Sequence, residues 1–375
     1  MATVETLTAT EPSSLPKYIQ ATTTKQELDW ADLVTLDLED FDRPGGKERL
    51  TKQLFEAVQN IGFFYIINFG LTQDEVDRQF AIGKSLFSLP ESEKLKFRAD
   101  LEHGGYNGYR PLGLREIKPG HFDSTEMYNI PKFIPEFEQA HPAVITTHYA
   151  EIEHFSRKIY TNVIRKLLVL FALVLELPED YFTASHEYEQ SSDCHLRYMK
   201  YHKKTASENA AIDNVWVKGH TDFGSLTLLF RQPIASLQVR LPDGSGWKWV
   251  KPYPESITVN LADVLEFITN GFLRSSIHRV VAPPPDQAGI DRYGVLYFVR
   301  PRSDLKLQPV PSKVLERLGY DRLVDEKAVG LTAGEWVKAR VKNNVKMYPE
   351  KKEDGGKEAV AEAEILGGVK AKYYD

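Results

Sequence analysis

The sequence predicts a mainly β fold with flanking helices, of the sandwich or jelly-roll kind. Between His195 and Arg300 short apolar segments alternate with turn signals such as Pro242-Asp243-Gly244 and Asn270-Gly271. Short strands broken by turns at this frequency are typical of β-sandwiches and jelly rolls. The segments on either side show apolar residues at helical spacing instead, so we expect helices to flank the strands.

These patterns divide the chain into four segments. We predict a mobile tail rich in Thr, Ser and Pro over residues 1–30, and an N-terminal domain of helices and strands over residues 31–180. The strand-rich segment covers residues 190–305. Residues 306–375 are expected to form C-terminal helices and a charged tail.

The N-terminal segment predicts two strands and several helices. A Thr72-Gln73-Asp74-Glu75 capping box starts one helix, which ends before Pro90. Apolar spacing predicts a long helix from Tyr149 to Leu177, ended by Pro178. The other predicted elements are strands 33–38 and 63–68, a helix over 47–60, a short helix over 91–97 and an irregular segment over 103–135.

Beyond the strands, the pattern predicts a helix from Pro311 to Leu318 and another over 336–345, preceded by a capping box at Thr332. Residues 350–375 are charged and rich in glycine, which indicates a frayed end. The helix over 336–345 is expected either to cover the core or to mediate dimer contacts. A monomer and a homodimer both stay open.

Composition restricts the function classes. A formal net charge of −6 argues against nucleic acid as the main partner. Cys194 is the single cysteine, which excludes an intrachain disulfide and fits a reducing, cytoplasmic location. The N-terminus does not show the pattern of a signal peptide, and the longest apolar run, Leu167–Leu175, is too short to cross a membrane.

A His-x-Asp triplet, His220-Thr221-Asp222, begins an apolar run typical of a buried strand. Side chains two residues apart on a strand leave the same face, so the imidazole and the carboxylate are expected to converge. The chain has 10 His, and a second triplet, His121-Phe122-Asp123, shows that one triplet alone is weak evidence. We interpret His121 and Asp123 as an ordinary surface pair.

Two later strand-like segments add His278 and Arg292. Two histidines and one carboxylate on one face of an octahedral metal are the ligands of non-haem Fe(II) oxygenases. A buried arginine needs an anionic partner, and its planar fork matches a carboxylate.

With these residues the sequence resembles the 2-oxoglutarate/Fe(II)-dependent dioxygenases, in the isopenicillin N synthase-like branch. The motif of that family stands here as His220-Thr221-Asp222, His278 and Arg292-Tyr293-Gly294. Further matches are Leu196-Arg197 through Tyr201, Asn260-Leu261-Ala262-Asp263 and Gly62-Phe63-Phe64-Tyr65. The resemblance covers roughly residues 30–305.

The resemblance implies a double-stranded β-helix barrel with Fe(II) held by His220, Asp222 and His278. It also implies that Arg292 and Tyr201 bind 2-oxoglutarate, that O2 is consumed and that ascorbate stimulates turnover. The serine that follows the arginine in the family is Gly294 here. Losing one neutral hydrogen bond costs about 1 kcal/mol, so we expect 2-oxoglutarate still to bind.

The implied activity is hydroxylation, desaturation or rearrangement of a small organic molecule. A specialised metabolite is the expected substrate, with a pyrimidine base as another candidate. Arg197, Tyr128 and Phe298 are predicted to contact it. For Arg197 a position behind the metal ligands, an acidic-substrate contact and a plain surface ion pair all stay open.

Three alternatives accompany this interpretation. The first is an Fe(II)/O2 oxidase of the same fold that does not use 2-oxoglutarate, which Gly294 favours and Arg292 opposes. The second is a hydrolase with zinc in a His2Asp site. The third is a binding protein without catalysis on the same fold.

Overall fold

A computed structural model of the chain describes residues 15–321, 330–344, 360–366 and 369–374. Its strands are β1 (Thr35–Asp37), β2 (Phe63–Ile67), β3 (Gly108–Arg110), β4 (Glu116–Lys118), β5 (His121–Phe122), β6 (Thr125–Pro131), β7 (His195–Tyr201), β8 (Val215–His220), β9 (Leu226–Phe230), β10 (Leu237–Arg240), β11 (Trp247–Trp249), β12 (Ile257–Leu261), β13 (His278–Val281), β14 (Arg292–Val299), β15 (Val360–Leu366) and β16 (Val369–Tyr374).

The helices are α1 (Gly46–Asn60), α2 (Gln73–Phe87), α3 (Glu91–Leu95), α4 (Ala143–Thr147), α5 (Tyr149–Ile159), α6 (Arg165–Val174), α7 (Ala206–Ala211), α8 (Asp263–Ile268), α9 (Lys313–Arg317) and α10 (Ala333–Asn344). A π-helical segment, Tyr160–Ile164, joins α5 to α6 in one run. The predicted long helix and both capping boxes are therefore confirmed. None of the described helices is long and apolar enough to cross a membrane.

Most strands belong to two sheets that do not close into a barrel. The larger sheet has the order β1-β2-β12-β9-β14-β7-β6-β3, and the smaller has the order β11-β10-β13-β8-β16-β15. Helices α1, α2, α5 and α6 pack apolar side chains into the main hydrophobic core together with residues of the larger sheet. A jelly-roll core with flanking helices is thus confirmed, with two open sheets in place of the barrel that the resemblance implied.

The larger sheet contains strands from both sides of the predicted domain boundary near residues 180–190. Strands β1, β2, β3 and β6 come from the N-terminal segment, and two of them, β2 and β6, pair with β12 and β7 of the later segment. Strand β6, for example, pairs along its whole length with β7, from Thr125↔Tyr201 to Pro131↔His195. The segment over 103–135, predicted to be irregular, therefore supplies the edge strand β3 and the strand next to it, β6, because unpaired backbone groups gain hydrogen bonds by joining the sheet.

Helix α2 packs closely on the outer face of β7. A Cβ atom at Gly83 would lie 3.2 Å from the Tyr198 side chain, so glycine permits this approach. The Tyr198 hydroxyl donates to Gln79 Oε1 at 2.7 Å and satisfies both buried groups. Tyr198 therefore faces the helices, while its neighbours Arg197 and Met199 face the opposite side of the sheet.

The prediction of a mobile tail over residues 1–30 is corrected for residues 15–30, which lie against the domain. The Tyr18 ring stacks on Phe80 with centroids 4.9 Å apart. Gln20 Nε2 donates to Asp77 Oδ1 at 2.8 Å, and Thr24 bonds to Asp286 at 2.8 Å. Residues 1–14 lie outside the described part of the chain.

The prediction of a frayed end over 350–375 is corrected where β15 and β16 form an antiparallel hairpin. Strand β16 also pairs with β8, with Tyr374 opposite Gly219, one residue before His220. Residues 345–359 lie outside the described part. The C-terminal segment thus extends the smaller sheet beside the predicted metal ligands.

Candidate functional site

The two imidazoles of the predicted ligand set meet across neighbouring strands. His278, the first residue of β13, is paired with His220, the last residue of β8. Their ring centroids lie 4.4 Å apart. Residues paired on antiparallel strands place their side chains on the same face, so the register brings together two histidines that are distant in sequence.

Asp222 completes the cluster from the loop that follows β8. The ligand atoms of His220, Asp222 and His278 all lie within 4.8 Å of one another. Within the described residues they are the only group of three or more His, Cys, Asp or Glu in such an arrangement. The loop is held by the Asp263 amide, which donates to the Asp222 carbonyl at 3.0 Å.

Hydrogen bonds to the backbone fix the tautomer of each histidine. The Nδ1 atom of His220 lies 2.9 Å from the Lys218 carbonyl, and that of His278 lies 3.0 Å from the Ser276 carbonyl. A carbonyl oxygen only accepts, so each Nδ1 carries the proton. Each Nε2 therefore keeps a lone pair that can bind a metal.

Two neutral side chains orient the Asp222 carboxylate. Thr227 Oγ1 donates to Oδ2 at 2.6 Å, and Asn260 Nδ2 donates to the same oxygen at 2.9 Å. Thr227 and Asn260 are paired across β9 and β12, so the larger sheet places both donors together. The carboxylate keeps unshared electron pairs for a metal.

The protonation of these groups suits a cation. Burial, and then the neighbouring His278, lower the pKa of His220 to about 3. Burial acts to raise the pKa of Asp222, but His278, His220 and the two donors lower it to about 2. Two neutral imidazoles and one carboxylate are the protonation states that a divalent metal requires.

Arg292 and Tyr201 lie opposite each other on β14 and β7. The guanidinium carbon of Arg292 is 4.9 Å from the Tyr201 ring centroid, and the residue is 3% exposed. Its Nε atom has no hydrogen-bond partner among the described residues. Burial lowers the pKa of Arg292, because removal from water disfavours the charged form. A carboxylate on this fork would satisfy the Nε donor, so the residues fit 2-oxoglutarate.

Two of the metal ligands, His220 and Asp222, and Tyr201 beside Arg292 line one cavity between the two sheets. The larger sheet lines it with Met127, Asn129, Arg197, Met199, Tyr201 and Phe298, and the smaller sheet lines it with Trp216, Val217 and His220. Asp222 lies in the same lining. The cavity therefore joins these two metal ligands to a partly apolar chamber.

The three predicted substrate residues have different outcomes. Arg197 and Phe298 both lie in the cavity wall, where the Arg197 guanidinium carbon is 4.3 Å from the Phe298 ring centroid and its Nε donates to Asn129 at 2.7 Å. These contacts exclude the surface ion pair that was one of the three roles left open for Arg197. The prediction that Tyr128 contacts substrate is wrong. Tyr128 is fully buried on the helix side of β6, and its hydroxyl bonds to His141 at 2.8 Å.

The second His-x-Asp triplet does not form a metal site. His121 is exposed, whereas Asp123 is buried and accepts from Arg110 Nη2 at 2.6 Å. The Asp123 carboxylate also accepts from the Gly113 amide at 2.7 Å. Asp123 is therefore part of a buried ion pair that orders the loop at the cavity, and the interpretation as a surface pair holds only for His121.

Residues without a predicted role also build the site. Thr227 and Asn260 orient Asp222. Each is a polar residue within an otherwise apolar strand, and this pattern could have identified them from the sequence. Arg340 of α10 donates from Nη2 to the Thr221 carbonyl at 3.0 Å, between the two ligands of the triplet. Its Nη1 lies 3.4 Å from Asp263 Oδ2. No local pattern identifies Arg340, because its partners are far away along the chain.

Comparison with known families matches two parts of the chain. Residues 33–149 match the N-terminal domain described as non-haem dioxygenase in morphine synthesis, and residues 191–301 match the 2OG-Fe(II) oxygenase superfamily. The chain is also similar to named proteins. A UPF0676 protein of Schizosaccharomyces pombe is 33% identical over 298 residues, covering 78% of this chain and 87% of that protein.

A 2-oxoglutarate-dependent dioxygenase of Didymella fabae is 29% identical over 298 residues, covering 74% of this chain and 86% of that protein. Among solved structures, a full-length Neurospora crassa protein in complex with alpha-KG and 5-formyluracil aligns with a TM-score of 0.71 at 22% identity. That alignment covers 84% of this chain and 99% of the Neurospora crassa chain. At this identity the likeness shows a shared fold.

Proposed function

The chain belongs to the 2OG-Fe(II) oxygenase superfamily, and we propose that it couples oxidative decarboxylation of 2-oxoglutarate to oxidation of a small organic substrate. It is an enzyme that uses Fe(II), 2-oxoglutarate and O2, as this superfamily does. The proposal extends to hydroxylation, desaturation or rearrangement of a specialised metabolite. Relatives named 2-oxoglutarate-dependent dioxygenase in Didymella fabae and Monascus ruber support it.

One observation carries the proposal: His220, Asp222 and His278 gather three ligand atoms within 4.8 Å beside a cavity. When bound there, Fe(II) supplies the redox chemistry that activates O2 for substrate oxidation. The protein's part is to present Nε2 of His220, Nε2 of His278 and the Asp222 carboxylate on one side. The remaining positions are then left to cosubstrate and O2.

Arg292 and Tyr201 would hold the carboxylate of 2-oxoglutarate that is distant from the metal. The buried fork of Arg292 offers paired donors, and Tyr201 lies directly beside it. The apolar wall, including Met199, Trp216 and Phe298, would exclude water from the reacting centre. The same two polar residues disfavour the oxidase alternative, since an oxidase without 2-oxoglutarate has no use for a buried, uncompensated guanidinium.

The test is the ratio of succinate formed to O2 consumed by protein loaded anaerobically with Fe(II) and 2-oxoglutarate and then exposed to O2. We expect one succinate per O2, even in slow turnover without the natural substrate. Protein loaded with Zn(II) is the control and should form none. Consumption of O2 without succinate would refute the use of 2-oxoglutarate and favour the oxidase.

We also infer a cytoplasmic location from the single cysteine, and a small-molecule partner in place of nucleic acid from the net charge of −6. A monomer or a homodimer fits the chain equally. Sedimentation of the purified protein, alone and mixed with duplex DNA, would test the oligomeric state and the absence of nucleic-acid binding together.

A further inference from the structure

Arginines are concentrated in the wall of the cavity. Arg110, Arg115, Arg197, Arg300 and Arg340 all line it, whereas Asp123 and Asp222 are the only carboxylates among the described residues of its lining. Arg110 is paired with Asp123 at 2.6 Å, and Arg340 lies 3.4 Å from Asp263 behind the wall. Asp222 belongs to the metal ligands. Arg115, Arg197 and Arg300, here called the arginine cluster, form no ion pair with any described carboxylate.

The partners of Arg197 are neutral. Its Nε donates to Asn129 Oδ1 at 2.7 Å, and its Nη2 lies 3.4 Å from His195 Nε2. His195 Nδ1 donates to the Asp193 carbonyl at 2.9 Å, so its Nε2 is an acceptor on a neutral ring. Burial, Arg300 and Arg197 hold the pKa of His195 well below its usual value. These contacts position the guanidinium without neutralising its charge.

Arg300 is held in the same way. It is 4% exposed, and its Nη1 donates to the Tyr106 hydroxyl, which in turn donates to the Asp193 carbonyl at 2.9 Å. Its buried Nε atom has no hydrogen-bond partner among the described residues. Burial, followed by the nearby Arg300, lowers the pKa of Arg197 to about 9. Two adjacent buried cations that form no ion pair with a described carboxylate are costly unless an anion joins them.

The arginine cluster is separate from the expected 2-oxoglutarate site. Along β7, Arg197 lies four residues from Tyr201, which corresponds to about 13 Å at the usual rise of a strand. The guanidinium of Arg197 lies over Phe298, whereas that of Arg292 lies over Tyr201. A five-carbon diacid anchored at Arg292 is shorter than this separation along the strand. The cluster therefore calls for a second anion.

We propose that the arginine cluster binds the carboxylate of the primary substrate, an organic acid with an apolar body. This rests on the proposed oxygenase function, because it assigns the class of molecule that enters the same cavity. Arginine forks match a carboxylate bidentately. Leu114, Ile117, Met199, Trp216 and Phe223 line the cavity and would hold the apolar body, with His220 and Asp222 in the same wall.

The first test uses the unmodified protein, loaded without O2 with Zn(II) and saturating 2-oxoglutarate. Calorimetry would compare 3-phenylpropanoate with 3-phenylpropanamide, and hexanoate with hexanamide, which differ in charge but hardly in shape. We expect each acid to bind at least about tenfold more tightly than its amide, because charge-assisted hydrogen bonds replace neutral ones. Thymine and inorganic phosphate serve as a neutral heterocycle and a competing anion.

Equal binding of acid and amide in both pairs, or no measurable binding of either acid, would overturn the proposal. So would thymine or phosphate binding more tightly than both acids. The variants Arg197→Gln and Arg300→Gln should each reduce the preference for the acid by about tenfold or more. Arg43→Gln, which removes the same charge from an exposed site, should leave the preference unchanged.

Thermal unfolding of each variant identifies loss of fold, and the comparison of acid and amide in unmodified protein stands without any variant. Binding of 2-oxoglutarate, measured in the same samples, should be unaffected by Arg197→Gln. A preference for acids in a protein that forms no succinate would refute the proposed function and leave the acid site standing. Normal succinate formation without a preference for acids would refute the acid site and leave the proposed function standing.

Discussion

The two ends of the cavity solve opposite electrostatic problems. At the metal end, Asp222 and two neutral imidazoles are oriented by neutral donors and backbone carbonyls, and their charge suits a cation. At the other end, Arg197 and Arg300 are oriented by neutral acceptors, and their charge suits an anion. In both places neutral hydrogen bonds fix geometry and leave charge unused. The sign of a buried charge without an ion-pair partner therefore indicates whether that part of the cavity accepts a cation or an anion.

Removing a metal ligand should have the largest effect. His278→Ala deletes one of three ligand atoms, so iron content and succinate formation should fall by on the order of 10³-fold or more. The control is His121→Ala, which alters the exposed histidine of the other His-x-Asp triplet and should change neither quantity. Full activity in His278→Ala would show that the ligand set is wrong.

Replacing the guanidinium of Arg292 should have the second largest effect. Arg292→Lys keeps the charge but loses the paired donors, so the KM for 2-oxoglutarate should rise by about 10- to 100-fold with a smaller change in kcat. Arg302→Lys makes the same change at a partly exposed arginine outside the cavity. An unchanged KM in Arg292→Lys would move the cosubstrate site elsewhere, and would also weaken the separation of the two anion sites.

The donors behind Asp222 should matter less than the ligand itself. Thr227→Val removes the 2.6 Å hydrogen bond to Oδ2, and iron affinity should fall by about 10- to 100-fold. Equilibrium dialysis against Fe(II) without O2 would measure it. Thr258→Val, at a buried threonine with no hydrogen bond to Asp222, should leave affinity unchanged. Equal losses in the two variants would indicate general destabilisation of the sheet.

Restoring the serine that the resembled family carries after its arginine should have the smallest effect. A Cβ atom at Gly294 would lie 3.3 Å from Leu296 Cδ1, so the end of a flexible side chain must shift slightly. Gly294→Ser should then lower the KM for 2-oxoglutarate by about fivefold, the value of one hydrogen bond of about 1 kcal/mol. Gly289→Ser, which has open space, is the control. A raised KM would mean that glycine is required for room in the cavity.

Much of the candidate site was predictable from short-range patterns. The spacing of His220 and Asp222, the alternation around Arg292 and the capping boxes at Thr72 and Thr332 depend on neighbouring residues alone. Tyr128 was misplaced because alternation gives two faces and does not say which one meets the cavity. Pairing of β6 with β7 decides this, since Met127 lies opposite Met199 in the cavity wall and Tyr128 lies opposite Tyr198 under the helices.

Patterns within short stretches of sequence were enough to specify the ligand types, the buried strands that carry them and the need of Arg292 for an anion. The fold is needed to show how His220, Asp222 and His278 meet across β8, the loop after it and β13, and that Arg197 and Arg300 share a cavity wall without an ion pair to any described carboxylate. The reason is that secondary structure follows from contacts a few residues apart. Whether two distant side chains meet depends on the register between strands. That register is set by packing of the whole core.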